Sequence, residues 1–141
     1  MDFPALIAEL DVSALDRSLA FYVDLVGFKI RFARPDERFT YLVLDDAHLM
    51  LEEAAGPGRR FRTAPLERPY GRGVNLQIRV ADSSALHASL CGAGVAPYIP
   101  LEERWYAQDD FEIGLRQFVV ADPDGYLLRF ATDLGRRPGQ R

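Results

Sequence analysis

The chain has 141 residues and a formal net charge of −4, with 48% hydrophobic and 27% charged side chains. That balance is ordinary for a globular protein large enough to fold without disulfides or metal, and its acidic sign disfavours nucleic acid and anionic membrane as partners. Cys91 is the only cysteine, which excludes an intrachain disulfide and points to a reducing, cytoplasmic compartment; Met1-Asp2-Phe3-Pro4 lacks the build of a signal peptide, and no apolar run is long enough to span a bilayer.

Leu6 to Val12 opens the chain with a period of two. Ala8, Leu10 and Val12 fall on one face, and Ile7, Glu9 and Asp11 on the other, which predicts a strand with one buried face. Ser13 stands as an N-cap with Asp16 three residues on. Leu15, Leu19, Tyr22, Val23 and Val26 follow at helical spacing, and Gly27 is the expected stop. Three strand-like stretches come next, Phe28 to Ala33, Phe39 to Leu44 and His48 to Glu53, punctuated by Pro35-Asp36 and Asp45-Asp46. Residues 56–72, rich in Gly and Pro, then read as a linker with a basic cluster at Arg59, Arg60 and Arg62.

The pattern restarts. Val74, Leu76, Ile78 and Val80 alternate with Asn75, Gln77 and Arg79; Asp82 is an N-cap; Leu86 and Leu90 mark a helix face that Gly92 and Gly94 close. Strand-like stretches lie around Leu101 to Tyr106, Leu115 to Val120 and Tyr126 to Ala131, with a turn at Asp122-Pro123-Asp124-Gly125. The fold class is therefore α+β: two βαβββ modules, residues 5–55 and 73–133, and a basic tail over 134–141 expected to fray. The helix after each opening strand covers one sheet face. The opposite face carries Ile7, Glu9, Asp11, Asn75, Gln77 and Arg79, a set too polar for a dry core and suited to a wet cavity or a ligand site.

Two stretches carry a resemblance: Val12-Ser13-Ala14-Leu15-Asp16-Arg17-Ser18-Leu19-Ala20-Phe21-Tyr22 followed by Gly27-Phe28, and Asp122-Pro123-Asp124-Gly125-Tyr126-Leu127-Leu128-Arg129-Phe130. With Leu49-Met50-Leu51-Glu52 between them, the chain resembles the vicinal oxygen chelate superfamily of glyoxalases, extradiol dioxygenases and bleomycin-resistance proteins. The resemblance implies cup-like mixed sheets and a homodimer whose grooves are built by both chains. In metal-dependent members each module supplies one ligand from its first strand and one from its last. Those positions fall on Ile7, Asn75 and Arg129, with Glu52 as the remaining carboxylate. Isoleucine has no donor atom and a guanidinium repels a cation, so no metal and no cofactor are expected. The metal-free, bleomycin-resistance-like branch fits best.

Nine residues are candidates for ligand contact. Glu9 is either a carboxylate for a cationic ligand or one paired with a nearby arginine. Glu52 and Arg129 end equivalent strands and are expected to pair with each other before they meet a ligand. Asn75 and Gln77 suit a polar ligand or ordered water. Trp105 and Tyr106, beside Glu102-Glu103-Arg104, suit stacking on a flat cationic group, or Trp105 fills a subunit interface. Phe39 and Tyr41 share a strand face and are expected to line the same groove. Phe61 is expected to anchor the linker, Cys91 to be a small packed residue, and His48 and His87 to be structural or solvated. The reading that follows is non-catalytic sequestration of a bleomycin-type glycopeptide antibiotic. A metal-dependent glyoxalase or dioxygenase, a binder of another small molecule, and a dimer without ligand are the alternatives.

Overall fold

A computed structural model describes residues 2–140. β1 (Ala8–Val12) buries Leu10 and Val12 and turns Glu9 and Asp11 to the opposite face, as a period of two dictates. The following helix, α1, is α-helical over Leu15–Leu19 and continues as π-wound turns over Ala20–Val26. The wider winding shows in the Gly27 N–H, which donates to the Tyr22 carbonyl five residues back at 3.1 Å. Gly27 adopts φ 104°, a left-handed conformation suited to glycine, and ends the helix there. α1 buries Phe21, Tyr22 and Val26, and Tyr22 meets the ring of Phe28 edge-on.

β2 (Lys29–Arg34), β3 (Phe39–Leu44) and β4 (Ala47–Glu53) complete the first sheet in the order β1-β4-β3-β2. β1 runs parallel to β4, and the other pairings are antiparallel. The second sheet repeats this plan. β5 (Asn75–Arg79) leads into α2 (Ser83–Gly92), and β6 (Ile99–Gln108), β7 (Phe111–Ala121) and β8 (Leu127–Pro138) follow in the order β5-β8-β7-β6, with β5 parallel to β8. The fold is thus two βαβββ modules with four-stranded mixed sheets. The second core holds Ile78, Leu90, Phe118, Val120, Leu128 and Phe130. One compact unit comprises the chain up to Tyr70 together with Pro123–Gly125, and the other the remainder. No helix among the described residues is long and apolar enough to cross a membrane.

Several local expectations change. Asp82 does cap α2, accepting the Ala85 N–H at 3.0 Å. Ser13 does not cap α1. The cap position is Ala14, without a side-chain bond, and Glu53 supplies the missing acceptor, 3.0 Å from the Leu15 N–H. Ser13 is instead drawn to Asp124, to which it donates through its hydroxyl at 2.5 Å and its N–H at 2.9 Å. Arg68 donates to the same carboxylate, 2.7 Å away. The segment from residue 134, expected to fray, is strand as far as Pro138. It pairs with the start of β7, and Arg137 forms a 2.8 Å ion pair with Glu112. Pairing of this length outweighs the Gly and Pro content that reads as a loose tail.

Two predictions follow from these carboxylates. Removing Asp124, 1% exposed, takes away the acceptor of the Ser13 N–H and hydroxyl and the carboxylate partner of Arg68. Asp124→Ala is expected to destabilise the chain by about 3 kcal/mol in urea unfolding, against roughly 0.5 kcal/mol or less for the exposed Asp36→Ala; equal midpoints would sink the assignment. The Glu53 carboxyl is held below the usual carboxylate range, first by the Leu15 N–H and then by Arg38. A depressed acid contributes stability above its unfolded pKa and loses it as pH falls through the folded one. Glu53→Gln should therefore lower the melting temperature near neutral pH, and the deficit should close on acidification.

Candidate functional site

Each sheet has one face covered by its own helix and one that is not. On the first sheet, the uncovered face follows from register. Glu9 lies beside Met50, Asp11 beside Glu52, Phe39 beside Glu52 and Tyr41 beside Met50. Phe32 stacks on Tyr41 with ring centroids 5.0 Å apart, and the Arg34 guanidinium sits 3.9 Å from the Phe39 centroid. The Tyr41 hydroxyl meets His48 Nδ1 at 2.5 Å. Phe39 and Tyr41 are therefore enclosed, 2% and 1% exposed, and do not line an open groove as the alternation suggests. The aromatic neighbours on β2 and the His48 bond close over them.

The acids of this face are neutralised from the linker. Arg60 forms an ion pair with Glu52, reaches to 4.0 Å from Asp11 and donates to the Glu53 carbonyl. Arg62 pairs with Asp11 at 2.8 Å and donates to the Ala54 carbonyl at 2.7 Å. The expected pairing of Glu52 with Arg129 is thus replaced by pairing with Arg60, which the sequence order brings back over the end of β4. Glu9 is exposed and has no ion pair among the described residues. Its carboxyl is raised above the usual range, chiefly by partial desolvation, then by Glu52 and Asp11, with Arg34 and Arg60 opposing.

On the second sheet the uncovered face carries Asn75, Gln77 and Arg79 from β5 and Arg129 from β8, which pairs with Gln77. Gln117 on β7 belongs to it as well. It is 3% exposed, and its Nε2 donates to the Tyr106 hydroxyl at 2.7 Å and to Glu102 at 3.2 Å. A cavity of about 310 Å³ opens on this face, lined by Gln77, Arg79, Leu115, Ala131, Asp133 and Arg136 among others. Arg136 reaches it through a β-bulge. Gly114 pairs with Gly135 but Leu115 with Asp133, so Leu134 is extra and the alternation shifts. Asp133 and Arg136 consequently share a face.

Trp105 and Tyr106 do not act together, because neighbours on a strand project to opposite faces. Tyr106 joins Gln117. Trp105 packs on the other side, where a Cβ on Gly114 would run into its ring and the Arg137 guanidinium lies 4.0 Å from its centroid. Phe61 does not anchor the linker: it is 72% exposed, with Arg59 against its ring. Cys91 is exposed rather than packed, its Sγ 3.7 Å from His87 Nε2. Sequence reasoning missed Gln117, whose signal is an amide directly before the apolar run Phe118 to Val120. It missed Arg136 too, since no alternation rule anticipates a bulge.

The donor set does not fit a divalent cation. Ile7 offers no donor atom, Glu52 is already bound by Arg60, and Arg129 presents a cation. Among the described residues no group of three or more His, Cys, Asp and Glu side chains is arranged to hold a metal ion.

Residues 7–130 match the family model described as Glyoxalase/Bleomycin resistance protein/Dioxygenase superfamily. Among solved structures, the chain is similar to TioX from Micromonospora sp. ML1, with 21% identity, TM-score 0.70, and coverage of 92% of this chain and 98% of that one. It is similar also to virulence protein STM3117 from Salmonella typhimurium, with 16% identity, TM-score 0.70, and coverage of 94% and 98%. A superfamily member from Vibrio splendidus 12B01 shares 37% identity over 89% of this chain and 95% of that one, with a TM-score of 0.40. A search of curated proteins gave no match.

The Glu9 carboxyl gives this site a pH signature. A folded pKa above the unfolded one contributes stability below the unfolded value, and that contribution is lost as pH rises through the folded one. Glu9→Gln is thus expected to raise the melting temperature near neutral pH and to change nothing well below the carboxylate range. A gain of equal size at both pH values would show that charge is not the cause.

Proposed function

Since the chain belongs to the Glyoxalase/Bleomycin resistance protein/Dioxygenase superfamily, we propose that it binds a small molecule and withholds it by mass action, without metal-assisted chemistry. A bleomycin-type glycopeptide antibiotic is the leading ligand. The observation that carries this reading is the donor set. Where the resemblance would put metal ligands, the chain has Ile7, Asn75 and Arg129, and its one carboxylate, Glu52, is occupied by Arg60. Isomerisation or oxygenation at a divalent metal has no scaffold in such a set. What both uncovered faces do have is polar groups in want of partners, which is the character of a binding surface.

A cationic ligand group suits Glu9. Its neighbours Glu52 and Asp11 raise its proton affinity, and a bound cation would relieve the same repulsion. Tyr106, Asn75 and Gln77 offer hydrogen-bonding edges, and Trp105 offers a ring wherever its cover by Arg137 is displaced. The protein would act in the cytoplasm as a homodimer whose second copy completes each groove. Drug held in this way is unavailable to DNA, and protection scales with protein concentration over Kd. Binding of a different small molecule is the second reading, favoured by the enclosure of Phe39 and Tyr41, which removes two aromatics from any stacking groove.

Calorimetric titration with metal-free bleomycin, at low and at physiological salt, is the test. Saturable binding at about one drug per chain is expected, weakened about fivefold by Glu9→Gln. No heat of binding at either salt would remove bleomycin and leave the second reading.

A further inference from the structure

We infer that the uncovered face of the second sheet is a receptor for a small organic carboxylate, seated on Arg129 over an apolar floor. Arg129 stands in the middle of that face, in register with Gln77 on one side and Val119 on the other. Its Nε is buried and has no hydrogen-bond partner, and the side chain makes no ion pair among the described residues. An arginine Nε in this condition is costly, because burial removes water without supplying an acceptor. The planar fork of an arginine is matched by a carboxylate, which accepts two parallel N–H bonds.

The surroundings support the same ligand class. Gln117 lies on the same face, two residues along β7 from Val119, which is opposite Arg129. Although it is almost fully buried, its Oε1 has no partner, while its Nε2 is committed to Tyr106 and Glu102. The face therefore lacks an acceptor at Arg129, which a carboxylate supplies, whereas the donor missing at Gln117 is one that an ionised carboxylate does not carry. The adjoining cavity of about 310 Å³ has Ile113, Leu115 and Ala131 as apolar lining, which suits the body of the acid. Its charged lining is Arg136 and Asp133 together with Arg79, which is already engaged by a partner. Asp133 is partly engaged, accepting the Gly135 N–H at 2.8 Å.

This receptor shares Gln77 and its sheet face with the binding surface proposed above, but it does not rest on bleomycin as the ligand, since Glu9 and the first sheet take no part. The probe is 1-naphthoate, compared with the isosteric neutral 1-naphthamide, titrated into the full chain by calorimetry. Naphthoate is expected to bind saturably and at least about tenfold more tightly than naphthamide. Arg129→Gln should abolish that preference while leaving naphthamide unchanged, and Arg129→Lys should restore only part of it. Equal affinity for acid and amide, no naphthoate binding, or a preference that survives Arg129→Gln would overturn the inference. If Arg129→Gln does not fold, Arg136→Gln in the same cavity serves: a loss of about threefold for naphthoate alone supports the receptor, and none refutes it. A chain that binds bleomycin but not naphthoate loses only this inference, and one that binds naphthoate alone keeps it.

Discussion

The ion pair between Arg60 and Glu52 sets the character of the first sheet. A sheet covered by one helix has a second face, and in β1 and β4 that face carries Glu9, Asp11 and Glu52 close together. Carboxylates so placed repel one another, and Glu52 and Asp11 raise the proton affinity of Glu9. The linker answers by folding back. Arg60 takes Glu52 and approaches Asp11, Arg62 takes Asp11, and both tie down through backbone carbonyls at the end of β4. The segment is thereby ordered by charge rather than by apolar burial, which explains why Phe61 between the two arginines points away from the core. Glu9 is the acid that this arrangement leaves over.

The second sheet has the same topology and the opposite need. Its uncovered face carries Arg79, Arg129 and, beyond the bulge, Arg136, and Arg129 makes no ion pair among the described residues. The two modules are thus alike in backbone and unlike in electrostatics. An internal repeat preserves strand order because the covering helix and the parallel β1–β4 or β5–β8 pairing require it. Nothing requires the uncovered faces to agree, and here they have diverged toward an acid left over in one and a base left over in the other.

Most of the fold was legible because it rests on periodicities that tertiary context does not override. The alternation in Ala8–Val12 and Asn75–Arg79 and the helical spacing from Leu15 to Val26 each correspond to an element. The site was less legible, for three physical reasons. Partners of buried charges come from wherever the chain returns, so Arg60 rather than Arg129 meets Glu52. Faces shared in sequence do not guarantee exposure, so Phe39 and Tyr41 share a face yet are shut by Phe32, Arg34 and His48. Adjacent residues on a strand part company, so Trp105 and Tyr106 serve different surfaces, although this last fact follows from the strand reading alone.

The bulge at Leu134 has a consequence for how such a protein changes over generations. Beyond it, every side chain of β8 faces the side it would otherwise avoid, which brings Arg136 to the cavity and Arg137 to Trp105. Deleting a single residue there would exchange the two surfaces while leaving every remaining amino acid in place. The charge of the cavity is therefore heritable as a length as well as a composition, and a lineage can alter what this face accepts through one codon lost or gained at the edge of the sheet.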